Sequence, residues 1–402
     1  MQSSSGMVIT TPPSQPPFMN KTLIQDQSDQ GRTIQKVLQL FVGHSGHEES
    51  ILSSLLDSIS DVLSERDSDG HSLLHVAAFV GSDALVDKLF VEKLQNNPEK
   101  IREFCNLTTI NDKKTALTIA CERGYLEVVK KLYDYTDKNA SETLFSPIHV
   151  AAINGQNKIL EYLVKEKKEN VDSQQDVYGY TPLHLAAQYG HAETVAFLID
   201  ELNANKNIQC TTERMLPIHT AILNNNLQVL KALVHRHSQE ANTTNAKFYE
   251  TLSNDHIHIN PLLLAIANTH AEDDKYVSPE TLQASAEMVK FLVNELNADY
   301  SLAGNNGISA LHMAAEAGNC ELIKFFVTEK HENVNQLTDI TKDTPLYLAA
   351  INNHLEATKL LLELGADKDI ENWRGNTPLS VVKNLASKND DYKPLYEFLK
   401  SQ

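Results

Sequence analysis

Cysteine is scarce in this chain, and its spacing excludes two classes of site. The four cysteines, Cys105, Cys121, Cys210 and Cys320, lie at least 16 positions apart among 402 residues. A structural zinc site or a dithiol redox centre usually needs two cysteines within a few residues of each other. The sequence therefore predicts no paired-cysteine metal or redox centre, and it favours a reducing, cytoplasmic compartment.

Long apolar runs are also missing. No segment approaches the roughly 18 apolar residues of a membrane-spanning helix. Residues 1–20 have neither the basic start nor the continuous apolar stretch of a secretory signal. We therefore expect no membrane insertion.

Positive charge is in deficit as well. The chain has 35 Lys and Arg residues against 53 Asp and Glu residues, which gives a formal net charge of −18. Nucleic acids and anionic membranes attract basic surfaces. Because no local basic run reverses the balance, we expect no nucleic-acid partner.

Recognisable catalytic motifs are absent too. We find no glycine-rich phosphate loop, no paired-carboxylate motif and no zinc-hydrolase helix motif. The sequence therefore predicts no catalytic residue, no bound metal and no cofactor, and we do not expect an enzyme.

What the chain does contain is one short phrase that recurs nine times, most clearly over residues 180–191. The shorter spacings between copies are 31 to 35 residues, and three longer ones of 43, 44 and 49 residues indicate insertions into the same repeat. The same apolar column is occupied in the nine copies by Leu74, Leu117, Ile148, Leu183, Ile218, Leu262, Leu311, Leu346 and Leu379.

The other columns of the phrase describe two helices joined by a tight turn. Thr181-Pro182 starts a helix, because the hydroxyl caps a backbone N–H and the fixed φ of proline suits the first turn. Ala186-Ala187 follow, where a stacked neighbouring helix leaves room only for small side chains. Gly190 ends the helix in the left-handed conformation, and a second apolar helix begins. Such a pair cannot bury its apolar face without the next pair.

Because these columns recur together over most of the chain, the sequence resembles the ankyrin-repeat family. The resemblance implies an all-α fold, an ankyrin-repeat solenoid of about nine helix-turn-helix repeats with helical caps. It also implies a non-enzymatic scaffold that binds a protein partner through its concave face, while the architecture leaves the partner open. Degenerate repeats rich in Asn, Lys and Ile are also similar to ankyrin effectors of intracellular bacteria, so export into a host cell is an alternative hypothesis.

The chain divides into three predicted parts. Residues 1–31 are rich in Ser, Pro and Gln and are predicted to be disordered. Residues 32–66 carry apolar side chains at helical spacing, ending with Val62 and Leu63, and are predicted to be capping helices. Residues 67–402 form the repeat array with a C-terminal cap, because Lys383 replaces the second alanine of the last repeat and is costly to bury.

Insertions are predicted near residues 96–111, 238–260 and 268–284. The first is expected to lengthen the second helix of repeat one and its loop. The other two flank the first helix of repeat six, and the third separates the two helices of that repeat. Long loops on a rigid scaffold often carry binding function, although tolerated surface additions are an equal alternative.

Histidines and cysteines of the repeat columns are interpreted as structural. An imidazole in that column typically bonds to nearby backbone, and the column contains His75, His149, His184, His219 and His312. Cys121 and Cys320 are interpreted as packing residues. A small catalytic or zinc-dependent site formed by the insertions around repeat six is the alternative, and its candidate ligands are His235, His237, His256 and His258.

In the family that the sequence resembles, the turn before Thr-Pro and the end of the first helix project toward the concave face. Repeat four is unusually aromatic there, and aromatic side chains often anchor interfaces. Packing of these rings against adjacent turns is the alternative. The predicted protein-binding residues are Phe79, Glu122, Arg123, Phe145, Tyr178, Tyr180, Gln188, Tyr189, Met215, Glu316 and Trp373.

Overall fold

Helices are the regular secondary structure of the described part of this chain. The computed structural model describes residues 34, 36–37, 55–59, 61–137, 145–175, 177–211, 214–235, 261–267, 278–300 and 307–402, and no strand occurs within these ranges. The predicted all-α class is therefore confirmed for the described residues. None of the helices in these ranges is long and apolar enough to cross a membrane. The predicted disordered segment 1–31 and the insertion 238–260 lie outside them.

The chain divides into two compact units, Met1–Pro217 and Ile218–Gln402. Helices α2 and α7 of the first unit continue into π-helical turns at Leu89–Lys93 and Tyr162–Glu166. The described helices of this unit are α1 (Leu73–Val80), α2 (Asp83–Lys88), α3 (Pro98–Cys105), α4 (Ala116–Arg123), α5 (Leu126–Leu132), α6 (Pro147–Ile153), α7 (Asn157–Glu161), α8 (Pro182–Gln188) and α9 (Ala192–Asp200).

Four helix pairs of the first unit match the first four sequence repeats. The first helices, α1, α4, α6 and α8, pack against one another in that order, and the second helices α2, α5 and α7 do the same. The alanine column lies in the seam between first helices, where Ala151, Ala152, Ala186 and Ala187 are fully buried. Small side chains let the helices approach closely, as the sequence predicts.

Helix ends follow the predicted capping chemistry at Thr181 and Gly124 and depart from it at Ser146. The Thr181 hydroxyl accepts a hydrogen bond from the backbone N–H of His184. Gly124 ends α4 in the left-handed conformation with a φ of 83°. Ser146 differs, because its hydroxyl makes no capping bond to the backbone and instead contacts Nδ1 of His149 at 2.8 Å.

The insertion near residues 96–111 folds differently from the prediction. It forms the separate helix α3 rather than lengthening the second helix of repeat one. Gln95 and Asn96 adopt positive φ values of 50° and 55°, which end the preceding helix. The side chain of Asn97 then accepts hydrogen bonds from the next turn, and Pro98 occupies its first position, so a new helix starts.

The segment predicted to form the N-terminal capping helices, residues 32–66, is described in part. Ile34, Val37 and Leu56 are helical and fully buried. The second predicted helix does not extend through Val62 and Leu63, which lie in a turn. There the carboxylate of Asp61 accepts a hydrogen bond from the backbone N–H of Leu63 at 3.0 Å, a local bond that competes with helix formation.

The second unit contains five helix pairs within the described residues, and these match the remaining repeats. Helix α10 begins at Pro217, the last residue of the first unit, and α15 continues into a π-helical turn at Phe325–Glu329. The described helices are α10 (Pro217–Leu223), α11 (Leu227–His235), α12 (Pro261–Ala267), α13 (Pro279–Asn294), α14 (Ala310–Glu316), α15 (Cys320–Lys324), α16 (Pro345–Ile351), α17 (Leu355–Glu363), α18 (Pro378–Ala386) and α19 (Lys393–Ser401).

Packing within the second unit repeats the arrangement of the first. First helices α12, α14, α16 and α18 pack in order, as do second helices α11, α13, α15 and α17. Helix α13 begins at Pro279, so residues 279–284 of the third predicted insertion are helical, whereas residues 268–277 lie outside the described ranges. At the end of the chain, Leu395 and Leu399 of α19 are buried in one cluster with Val382, and Lys383 is exposed.

Candidate protein-binding surface

Four histidines of the repeat column bond to backbone carbonyl groups, and they are His75, His149, His184 and His312. The Nδ1 atom of His184 accepts a hydrogen bond from the backbone N–H of Thr181 at 3.2 Å, and its Nε2–H donates to the carbonyl oxygen of Met215 at 3.0 Å. His75 bonds in the same way to the carbonyl oxygen of Lys114 at 3.1 Å, and burial lowers its pKa to about 3. Both imidazoles bond to backbone groups of their own and the next repeat, as predicted.

The buried cysteines are poor candidates for nucleophiles. Burial raises the pKa of the Cys105 thiol to about 12 and also raises that of Cys121. Such groups are thiols at neutral pH, whereas a nucleophilic cysteine is a thiolate. Cys121 is fully buried in the second-alanine column, which agrees with the packing role predicted for it.

Candidate metal ligands do not cluster in the described part of the chain. No group of three or more His, Cys, Asp or Glu side chains that could hold an ion occurs there. Of the four histidines proposed as zinc ligands, His237, His256 and His258 lie outside the described residues, as does the side chain of His235.

The segments before the first helices form short turns closed by backbone hydrogen bonds. We call them closed turns, and they comprise residues 67–71, 109–114, 175–180, 210–215, 338–343 and 372–376. Within each unit the tips of some neighbouring closed turns are bonded to each other. The N–H of Ile110 donates to the carbonyl of Asp69 at 2.8 Å, and that of Thr211 donates to the carbonyl of Tyr178 at 2.9 Å.

Large exposed apolar side chains are concentrated on the closed turns. Of six such side chains in the described residues, four lie on them, and their exposed fractions are 54% for Ile110, 48% for Val177, 64% for Ile340 and 59% for Trp373. Sequence reasoning singled out Trp373 but missed Ile340. Trp373 and Ile340 each lie six residues before the recurring leucine of their repeat. Comparing this position in every repeat would therefore have identified Ile340 from the sequence.

The predicted tyrosine cluster of repeat four is only partly accessible. The rings of Tyr178 and Tyr180 are stacked, with centroids 5.9 Å apart, and Tyr180 also lies against His184 at 5.6 Å. Tyr180 is only 5% exposed, so its prediction as a contact residue is wrong, and the alternative of packing against the turn holds for it. Tyr178 and Tyr189 are half-buried and retain accessible surface.

Met215 is the second predicted contact residue that the structure corrects. Its side chain is only 3% exposed. Its carbonyl oxygen accepts hydrogen bonds from the N–H of Cys210 at 2.9 Å and from His184. The buried residue therefore helps to hold the closed turn together. Phe145, at the corresponding place before α6, is half-buried.

Gln188, at the end of α8, is half-buried with an unusual polar atom. Its side-chain oxygen Oε1 is buried and has no hydrogen-bond partner among the described residues. An unpaired acceptor of this kind costs free energy unless a donor reaches it. It is next to Tyr189, on the part of repeat four that keeps accessible aromatic surface.

Phe79 and Arg123 meet at the ends of neighbouring first helices. The guanidinium carbon of Arg123 lies 4.1 Å from the centroid of the Phe79 ring, which is a cation–π contact. Glu122 instead forms an ion pair with Lys114, in which Nζ of Lys114 lies 2.7 Å from Oε1 of Glu122. Burial raises the pKa of Glu122, and the ammonium of Lys114 opposes this shift. Arg123 is therefore the exposed member of the pair predicted in repeat two.

Two predicted residues lie in the second unit. Glu316 is half-buried at the end of α14, and its carbonyl oxygen accepts a hydrogen bond from Nε2 of His354 at 2.9 Å. Trp373 is exposed on its closed turn, and the guanidinium carbon of Arg374 lies 4.7 Å from its ring centroid.

Several known proteins are similar to this chain. Human protein phosphatase 1 regulatory subunit 27 is 27% identical over 138 residues, which are 34% of this chain and 84% of that protein. A putative ankyrin repeat protein of Rickettsia bellii (strain RML369-C) is 33% identical over 85 residues, 20% of this chain and 50% of that protein. The crystal structure of the human ASB11 ankyrin repeat domain aligns with a TM-score of 0.44 at 20% identity, over 59% of this chain and 91% of that chain.

The match to a family model extends over more of the sequence. The model described as ankyrin repeats (3 copies) matches residues 38–143, 74–175, 148–246 and 280–372, well over half of the chain. This range includes copies of the recurring phrase from both compact units. The chain therefore belongs to the ankyrin-repeat family.

Proposed function

We propose that this chain is a non-enzymatic scaffold that binds a partner protein through the concave ankyrin face, built from the closed turns and the ends of the first helices. Ankyrin repeats are protein-interaction modules, which makes a protein the expected partner. The observation that carries the proposal is the position of the large exposed apolar side chains, since four of the six found in the described residues lie on closed turns. Exposed apolar side chains that recur on the same kind of turn within each unit are typical of interaction sites.

Repeat four supplies the best-defined contacts in the first unit. Tyr178 and Tyr189 keep accessible ring surface, Val177 is exposed beside them in sequence, and Gln188 has a buried acceptor without a partner in the described residues. Rings held in place by packing lose little entropy on binding, which favours them as interface anchors.

The test is affinity purification of the intact chain with quantitative identification of bound proteins. The double variant Tyr178→Ala, Tyr189→Ala should lose the bound partner by about tenfold or more, since aromatic hot spots each contribute about 2 kcal/mol. Val91→Ser is the matched control, because Val91 is 53% exposed but lies on the π-helical turn after α2. Its bound proteins should be unchanged.

Circular dichroism separates loss of contact from loss of fold. The double variant should keep the helical signal, because neither side chain is fully buried. Equal capture by wild type and double variant, or parallel loss of helicity and binding, would contradict the proposal. The name of the human relative makes protein phosphatase 1 one purified candidate to include in the same assay.

A further inference from the structure

Two neighbouring closed turns of the second unit present the most exposed large apolar side chains of the described chain. Ile340 is 64% exposed and Trp373 is 59% exposed. The backbone N–H of Trp373 donates to the carbonyl of Thr341 at 3.0 Å, so the tips of the two turns are adjacent. We call Ile340 and Trp373 the 340/373 patch.

The backbone under this patch is held by a hydrogen-bond network. The side-chain oxygen of Asn372 accepts bonds from the N–H groups of Arg374 at 3.0 Å and Asn376 at 3.1 Å, and its amide donates to the carboxylate of Asp343 at 2.9 Å. The Thr338 hydroxyl accepts from the N–H of Asp343 at 2.9 Å. Because the two tips are fixed before any contact, binding there costs little ordering entropy.

Two exposed carboxylates lie beside the patch, and the exposed ammonium of Lys342 lies in the same turn as Ile340. Asp339 precedes Ile340, Glu371 lies two residues before Trp373, and both are exposed and form no ion pair within the described residues. The nearby guanidinium of Arg374 is stacked on the indole of Trp373. A cationic partner group can therefore pair with Asp339 or Glu371 without displacing an existing ion pair.

Charge also decides among the possible occupants of the patch. A second copy of this chain carries a net charge of −18, and like charges placed together suppress association. An anionic membrane surface is disfavoured for the same reason. A segment that combines apolar and basic side chains complements both the exposed apolar surface and the carboxylates.

We propose that the 340/373 patch docks a basic, apolar segment of the partner protein, which rests on the proposed function. An apolar or aromatic side chain of that segment packs on Ile340 and Trp373. Flanking lysine or arginine side chains face Asp339 and Glu371. The patch thus gives the second unit its own contact, separate from the tyrosines of repeat four.

Selection from a random dodecapeptide display library against the intact chain tests this specificity without knowledge of the partner. The enriched sequences should place Lys or Arg beside an aromatic or aliphatic residue, and they should disappear when Trp373→Ala is the bait. Val91→Ala is the control, because Val91 is 53% exposed but lies on the π-helical turn after α2 and not on a closed turn. It should return the same sequences as wild type.

Fluorescence anisotropy of the most enriched peptide then supplies the magnitudes. Trp373→Ala should weaken binding about tenfold, as for an interface aromatic, while Val91→Ala changes it by less than about twofold. The double variant Asp339→Asn, Glu371→Gln should weaken binding and reduce its dependence on salt. All variants should keep the wild-type melting temperature, since the changed side chains are exposed.

Several results would overturn the inference. Enrichment of acidic sequences, an enriched set that persists with Trp373→Ala, or no enrichment at all would each reject it. Sedimentation that shows a dimer lost in Trp373→Ala would assign the patch to a second copy. If the captured partner depends on Tyr178 and Tyr189 but not on Trp373, the proposed function stands and this inference fails.

Discussion

Single residues of the repeat phrase carry constraints of different physical origin. Ala187 is fully buried in a seam between helices, so its constraint is volume. His75 is buried with both ring nitrogens bonded, so its constraint is the protonation state. Trp373 is exposed, and nothing in its turn requires an indole for folding. Substitutions at these positions should therefore affect packing, pH dependence and binding respectively.

Ala187→Leu should lower the free energy of unfolding by about 1–3 kcal/mol, because the added side chain must enter a close-packed seam. Chemical denaturation with urea measures the change. The control is Ala84→Leu, since Ala84 is an exposed helical alanine of the same unit and should tolerate leucine with little effect. An unchanged midpoint for Ala187→Leu would mean that the alanine column does not face a neighbouring repeat.

The second residue-scale prediction concerns His75 and pH. Its ordinary pKa of 6.5 applies to the unfolded chain, whereas burial lowers the pKa in the folded chain to about 3. Between these values the unfolded state binds a proton that the folded state does not. The free energy of unfolding should therefore fall as the pH decreases below 6.5, by about 1.4 kcal/mol per pH unit for this group.

Comparison with His75→Gln isolates that contribution. The variant should be less stable at pH 7, because it loses bonds to Ser72 and Lys114, but it should show a weaker loss of stability between pH 6.5 and 5.5. Urea denaturation at the two pH values gives the slopes. An NMR titration of the His75 ring with a midpoint near its ordinary pKa would refute the assignment.

At the scale of elements, the closed turns differ in how tightly neighbours pack on them. Gly179 and Gly375 occupy equivalent positions, and both have a φ of 71°. A Cβ atom at Gly179 would lie 2.6 Å from the backbone N of Thr211, whereas the nearest atom at Gly375 is Oε2 of Glu371 at 3.7 Å. A substitution would strain the backbone at both glycines. Only at Gly179 would the added side chain also clash with the backbone of a neighbouring turn.

Gly375→Ala should therefore cost only the left-handed strain of about 1–2 kcal/mol. Gly179→Ala should cost more, because the backbone of the adjacent turn must shift as well. Denaturant midpoints of the two variants test the ordering. Equal losses of stability would show that the turns around Gly179 and Thr211 are not in close contact.

At the scale of the whole molecule, the repeat pattern runs through both compact units and tolerates insertions between its helices. The apolar residues of α12 and α13 still match the two helices of one repeat, with Leu262, Ala265 and Ile266 buried in the first and Met288 and Val289 in the second. Added loop length costs little closure entropy, so an insertion can grow without breaking the array.

Replacing residues 243–255 with a flexible Gly/Ser bridge should leave a folded chain that melts cooperatively. Thermal unfolding followed by circular dichroism is the measurement, and partner capture by the shortened chain gives the functional readout. Preserved folding with lost binding would make the insertion a contact element. Loss of folding, or release of a bound metal, would contradict its treatment as a surface addition.

Sequence-based predictions were more accurate where several recurring residues supported them than where a single segment did. Helix starts, alanine seams and helix ends were predicted because several columns recur in register, as Thr181, Ala187 and Gly190 show. Helix α3 was missed because its boundaries depend on two left-handed residues and one asparagine cap within a single insertion. Ile340 was missed although its column could have been applied to every repeat.

The sequence by itself determined the helical class, the repeat register and the structural role of the histidine column, because each depends on local chemistry repeated along the chain. Only the tertiary structure decided which side chains remain accessible. Tyr178 and Tyr180 are two residues apart, yet one stays half-exposed and the other is buried against His184. Accessibility depends on what packs on a residue from neighbouring turns and helices, and the repeat pattern does not encode those contacts position by position.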